Sequence, residues 1–156
     1  MKHRSWIAFV IGSVISVTTA GPLLGQTNPA TGGTPAEAKA MLERAVQAVK
    51  ADKQRALAAF SLGTDGFRQG DLYVFCIGPD GKVDAHPNPE LIGVDARGLS
   101  DKNGKHFAVE MLNVAQPGTF AEVTYSWPRL LGAEPIPKTS FVTKVDDQVC
   151  GVGYYH

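Results

Sequence analysis

Residues 71–95, DLYVFCIGPDGKVDAHPNPELIGVD, decide how the rest of this 156-residue chain is read. The run from Leu72 to Ile77 is almost wholly apolar. It turns at Gly78-Pro79-Asp80-Gly81, continues as a second strand from Val83 to His86, and leaves through Pro87 and Pro89. Asp-Gly between two apolar runs is a strong hairpin signal, because Gly takes positive φ without a Cβ clash. A strand with nearly every side chain apolar is usually covered on both faces. The stretch therefore predicts the hairpin of a sheet with something packed on each side.

Upstream, Thr34-Pro35-Ala36-Glu37 combines an N-cap Thr, Pro at the first helical position and Glu at N3, a capping box. Ala38, Leu42, Ala45, Val46 and Val49 then recur at three- and four-residue spacing, and Ala56, Leu57 and Phe60 resume the stripe after Asp52-Lys53-Gln54. This predicts one long amphipathic helix, or two abutting ones, ending before Gly63. With a single apolar face it can cover one side of the sheet. A coiled-coil dimer is the weaker alternative, because Ala dominates the seam.

Downstream, the turn at Asp101-Lys102-Asn103-Gly104 leads to a second helix, residues 105–115, which Gln116-Pro117-Gly118 ends. Strands are predicted from Phe120 to Trp127, Ser140 to Val145 and Gln148 to Tyr155, the last two joined at Asp146-Asp147. The order of helix, two strands, helical crossover and three strands points to an antiparallel α+β domain rather than a parallel βαβ sheet.

The first twenty residues read as a secretory signal peptide. Lys2, His3 and Arg4 make a basic start, Trp6–Val17 an apolar stretch, and Thr18-Thr19-Ala20 a small-residue cleavage site. An uncleaved anchor is the alternative, but twelve residues fall short of the ~20 that span a bilayer. Cleavage leaves 15 − 2 = 13 basic against 15 acidic residues, a net charge of −2. Without basic runs there is no electrostatic footprint for nucleic acid. Residues 21–33, rich in Gly, Pro and Thr, read as a flexible linker, which leaves 34–156 as one folded domain.

The long N-terminal helix, YVFCIGPDGKVDAHPNPELIG, GKHFAVEM, TYSWP, PKTSFV and the terminal GVGYY occur in an order that resembles a single Cache domain of the second type. These are PAS-like extracytoplasmic sensor modules of bacterial receptors. The resemblance implies an antiparallel sheet of about five strands, with the N-terminal helix on one face and a crossover with a ligand pocket on the other. It also implies a periplasmic protein that binds a small molecule, often a short carboxylate. Receptors of this kind continue into a membrane span and an output domain, whereas this sequence stops at His156, so a stand-alone sensor with no output of its own is the expectation. A protein–protein module serving a membrane receptor is the alternative.

The same resemblance places the strands of Cys76 and Cys150 side by side. In an oxidising compartment it implies a disulfide, with two buried reduced thiols as the alternative. Such a bond would close a loop of 150 − 76 = 74 positions, about 4 kcal/mol in the chain-entropy model. Alternation then puts Leu72, Val74, Cys76, Cys150, Val152 and Tyr154 on one face, toward the N-terminal helix. Tyr73, Phe75, Ile77, Gly151, Gly153 and Tyr155 look the other way. That aromatic face, with two glycines removing bulk, is the expected pocket wall.

Six residues are candidates for the pocket: Tyr73, Phe75, His86, Tyr125, Trp127 and Lys138. Lys138, read as standing at a strand entrance, would hold a carboxylate, against the alternative of a solvated surface charge. His86 is either a donor to the ligand or part of the hydrogen-bonded framework. Tyr125 and Trp127 share a strand face and serve core packing as readily as ligand contact, in which Tyr125 would donate a hydrogen bond and Trp127 would close the apolar wall. Arg68 is a weaker candidate, and Asp71 reads as a turn or cap residue. Catalysis has little to stand on: no Ser sits in a nucleophile elbow, no CxxC is present, and no spacing gathers His86, His106 and Asp84 as metal ligands. Neither cofactor nor metal is expected.

Overall fold

A computed structural model describes residues 32–156; the expected signal peptide, and the expected linker up to residue 31, lie outside the described residues. Helix α1 spans Pro35–Ala51 and α2 Lys53–Leu62. Thr34 and Glu37 form the capping box, with the Glu37 N–H donating to Thr34 Oγ1 at 3.2 Å and the Thr34 N–H to Glu37 Oε2 at 2.9 Å. The helices abut rather than merge. Asp52 ends α1 by donating its N–H to the Ala48 carbonyl at 3.0 Å, and its carboxylate starts α2 by accepting the Arg55 N–H at 3.1 Å. Gly63 closes α2 in the left-handed conformation, φ 67°.

The strands are β1 (Arg68–Gln69), β2 (Leu72–Ile77), β3 (Val83–Ala85), β4 (Ala121–Pro128), β5 (Pro135–Val145) and β6 (Gln148–Tyr155). All pair antiparallel, in the order β1-β2-β6-β5-β4, with β3 also on β2. The α+β class with one antiparallel sheet is as the sequence predicts, plus a two-residue β1 too short and polar to announce itself. The β2–β3 turn closes with the Gly81 N–H on the Gly78 carbonyl at 3.0 Å, with Gly81 at φ 84°.

Strand β5 begins five residues earlier than its apolar run suggests, so Lys138 lies inside the strand rather than at its entrance. Pro135 and Pro137 mislead here. The Pro137 carbonyl accepts from the His156 N–H at 3.1 Å, so the side of β5 on which these prolines lack a donor is the side where β6 has already ended. No ladder bond to β4 is lost.

The sheet divides the core in two. Leu72, Val74, Cys76, Cys150 and Val152 pack with Met41, Leu42, Ala45, Phe60 and other residues of α1 and α2. Phe75, Ile77, Val123, Tyr125, Val142 and Val149 pack on the other face. Residues 86–115 cover that second face, including short 3-10 turns at Pro89–Leu91 and Ala96–Gly98 and helix α3, Phe107–Val114. Helix α3 starts later than its pattern suggests. Asp101 Oδ1 first takes the N–H groups of Asn103 and Lys105, at 2.8 and 3.0 Å, while Oδ2 takes that of Ser126, at 3.0 Å, tying the turn to β4. Cys76 and Cys150 are register partners on β2 and β6 and form a disulfide, S–S 2.03 Å. Among the described residues no helix is long and apolar enough to cross a membrane.

Candidate ligand-binding site

The second face carries a partly open cavity of about 40 Å³, roughly three to four times the space of about 10–15 Å³ that admits one water. Its floor is Tyr73, Phe75 and Ile77 of β2 with Tyr125 and Trp127 of β4. Its cover is His86, Leu91, Ala96 and Leu99 of the crossover with Phe107, Ala108 and Met111 of α3. Five of the six candidate residues therefore line one cavity. The sequence left the cover unassigned, because Leu91, Leu99 and Met111 look like ordinary core residues until the crossover is folded down.

Aromatic packing stiffens the wall on the β4 side. Phe107 stacks on Tyr125 with centroids 4.3 Å apart and planes 9° apart, and Trp127 meets Phe107 edge-on at 5.2 Å. The Tyr125 hydroxyl is engaged below the cavity with Ser140 Oγ at 3.0 Å. Tyr125, expected as a donor to the ligand, thus presents its ring to the cavity while its hydroxyl is paired with Ser140.

The glycines do something other than widen the cavity. A Cβ on Gly151 would stand 2.5 Å from the Phe75 ring, and one on Gly153 would stand 2.3 Å from Lys138 Cε. The space that they leave is filled by the Phe75 ring and the Lys138 stem, and neither glycine lines the cavity.

Lys138 is the sixth candidate, and it does not line the cavity either. It lies wholly buried beneath it, 0% exposed. Its Nζ donates to the Tyr73 hydroxyl at 2.7 Å and stands 4.0 Å from the centroid of that ring and 4.9 Å from that of Tyr155. Among the described residues it has no salt bridge. Burial pushes its pKa down to about 7, with the Asp71 charge acting in the opposite direction.

His86 lies edge-on to Tyr73, centroids 5.1 Å apart. Its Nδ1 accepts the Asn88 N–H at 2.9 Å, which leaves the ring proton on Nε2. Burial, then the Lys138 charge, hold its pKa at about 4, so the ring is neutral at ordinary pH. Burial also raises the Tyr73 hydroxyl well above 10 and that of Tyr155 to about 12.

A second polar layer went unread in the sequence. Asp71 Oδ1 accepts the Gly33 N–H at 2.7 Å, a long-range tie to the entry of α1 rather than the local turn or cap expected of it, and Oδ2 faces Arg129 Nε at 3.2 Å. Arg129 in turn lies 5.0 Å from the Tyr155 ring centroid, and the Tyr155 hydroxyl donates to the Pro128 carbonyl at 2.9 Å. Arg68 is exposed and packs beside Gly63, away from the cavity. No group of three His, Cys, Asp or Glu side chains gathers as a metal site among the described residues.

The family model for single Cache domain 2 matches residues 30–155. A methyl-accepting chemotaxis protein from Vibrio parahaemolyticus RIMD 2210633 is similar over 77% of this chain and 86% of its own, at 25% identity and TM-score 0.63. A periplasmic sensor domain of a chemotaxis protein is 27% identical over 75% of this chain and 86% of that one, TM-score 0.59. A Cache chemosensory domain described for carboxylic acid recognition is 24% identical over 75% and 84%, TM-score 0.54.

Proposed function

The chain belongs to the single Cache domain 2 family, and from that premise we propose that its cavity takes a short-chain monocarboxylate. Cache domains are extracytoplasmic sensory modules that bind small ligands. At 24% identity the likeness to the carboxylate-recognising domain carries the fold. The ligand class is argued from this chain's own residues.

One observation carries it: Lys138 is wholly buried, has no salt bridge among the described residues, and holds the hydroxyl of a residue that lines an apolar cavity. Burying an unpaired cation is costly, and a carboxylate in the cavity would supply the missing charge. Tyr73, accepting from Lys138, can turn its own proton toward that carboxylate, and His86 Nε2–H is a second donor. The polar groups meet on the Tyr73–His86 side, and the remaining walls are apolar. That asymmetry, with the small volume, fits one carboxylate and a short tail better than a dicarboxylate.

Calorimetry on ligand-free protein against acetate, propionate, lactate and pyruvate, with succinate as control, tests the reading. At least one monocarboxylate should bind. Lys138→Met should weaken it about ten- to a hundredfold, the worth of a charge-assisted contact of roughly 1.5–3 kcal/mol. Silence across the panel would favour a binding module for a protein partner instead. No catalytic role is proposed.

Residues 1–20 are proposed to direct export to the periplasm and to be removed there, with 21–33 as a linker and 34–156 as the sensor domain. N-terminal sequencing of periplasmic protein should give a start near Gly21; recovery of the intact chain from membranes alone would make the leader an anchor.

A further inference from the structure

We propose that the cavity takes up its carboxylate together with a proton, held on Lys138, so that the ligand enters in sum as the free acid although both partners are bound as ions. The inference rests on the monocarboxylate reading and adds a coupling to it. The balance is simple: the Lys138 amine, one proton from water and a carboxylate become an ammonium facing a carboxylate. No bond to carbon changes.

The geometry behind this is a cation site with no anion in contact, since the Asp71 carboxylate, whose charge reaches Lys138, is paired to Arg129 at 3.2 Å. Lys138 is sealed beneath the cavity, its one hydrogen bond goes to a neutral phenol, and its remaining neighbours there are aromatic faces. Nothing so placed rewards the charged form strongly until an anion arrives. The ammonium meets the cavity through the Tyr73 hydroxyl, so a ligand oxygen on Tyr73 is one group away from the proton that neutralises it.

The other groups that face Lys138 are Tyr73 of β2, Tyr125 of β4, Tyr155 of β6 and His86 beyond β3, with Asp71 and Arg129 paired to each other at 3.2 Å. Burial holds His86 at about 4 and raises all three tyrosines, Tyr155 to about 12. None of these four changes charge near neutral pH, whereas Lys138, at about 7, does. An anion beside it must raise that value. Affinity is then highest below about 7 and falls as pH climbs toward the raised value, by about tenfold per unit at the steepest.

The test is calorimetry of the full chain with acetate and propionate between pH 5.5 and 8.5, each in two buffers of different ionisation enthalpy. Proton uptake near zero at pH 5.5, fractional at 7 and approaching one at 8.5, with weakening affinity, is the expected result. Carbon-13 shifts of lysine Cε in the wild type provide a reading that needs no variant. One lysine should titrate near 7 in the free protein and move upward with acid bound, and Lys138→Met should remove that signal. Acid binding with buffer-independent heats and no pH dependence would overturn the proton coupling and leave the monocarboxylate reading standing. Failure of every acid at every pH would overturn both.

Discussion

Between pH 7 and 10.5 Lys138 holds its proton more fully in the unfolded chain than in the folded one, because burial brings it down from an ordinary pKa of 10.5 to about 7. The contribution of Lys138 to stability must therefore rise with pH across that window: the cost of its buried charge is complete below about 7 and gone above about 10.5. At about 1.4 kcal/mol per unit, the penalty is on the order of 3–5 kcal/mol. Lys138→Met should accordingly be more stable than the wild type in urea titrations at pH 6, with the gap closing as pH approaches 10. A gap independent of pH would mean that the lysine is hydrated or paired in solution. This residue also shows how far side chains can be read ahead of a fold. That Tyr73, Phe75, His86, Tyr125 and Trp127 share a cavity followed from strand alternation and the family resemblance. That Lys138 lies under the cavity, in the space left by Gly153, did not, because a lysine after Pro137 reads as standing at a strand entrance, with its charge at the ligand or in solvent.

At the level of elements, the strands with dense apolar character were the legible ones. β2 and β6 have the bounds that their patterns suggest, and β4 is shifted by a single residue. What could not be read was decided by partners. The early start of β5 depends on where β6 stops, and the late start of α3 on Asp101 gathering three N–H groups first. Whether the N-terminal helix would break turned on Asp52 capping in both directions. The central pair β2 and β6 is joined twice, by the ladder and by Cys76–Cys150. Closing a 74-position loop should be worth about 4 kcal/mol. The Cys76→Ala/Cys150→Ala double variant should lose about that much in chemical denaturation. A loss below about 1 kcal/mol would show that the denatured chain already holds these strands together.

Seen whole, the molecule is a sheet with two unlike covers. One is a pair of capped helices packed on an aliphatic face, and the other is a crossover whose helix has only eight residues. The crossover is fastened to the hairpin by backbone bonds, from the Val83 N–H to the Val94 carbonyl at 3.0 Å, Gly93 to Val83 at 2.8 Å and Ala96 to Gly81 at 2.9 Å. The cavity floor differs in kind, because the strand that supplies most of it, β2, is riveted covalently to its neighbour. Walls that part to admit a ligand must therefore be those of the crossover. How fast a ligand comes and goes is then a property of the crossover's fastening to the hairpin, and how tightly it is held is a property of the side chains that line the cavity, on sheet and crossover alike. Substitutions that loosen or tighten the first without touching the lining should change entry and exit rates together, leaving the equilibrium where the second puts it.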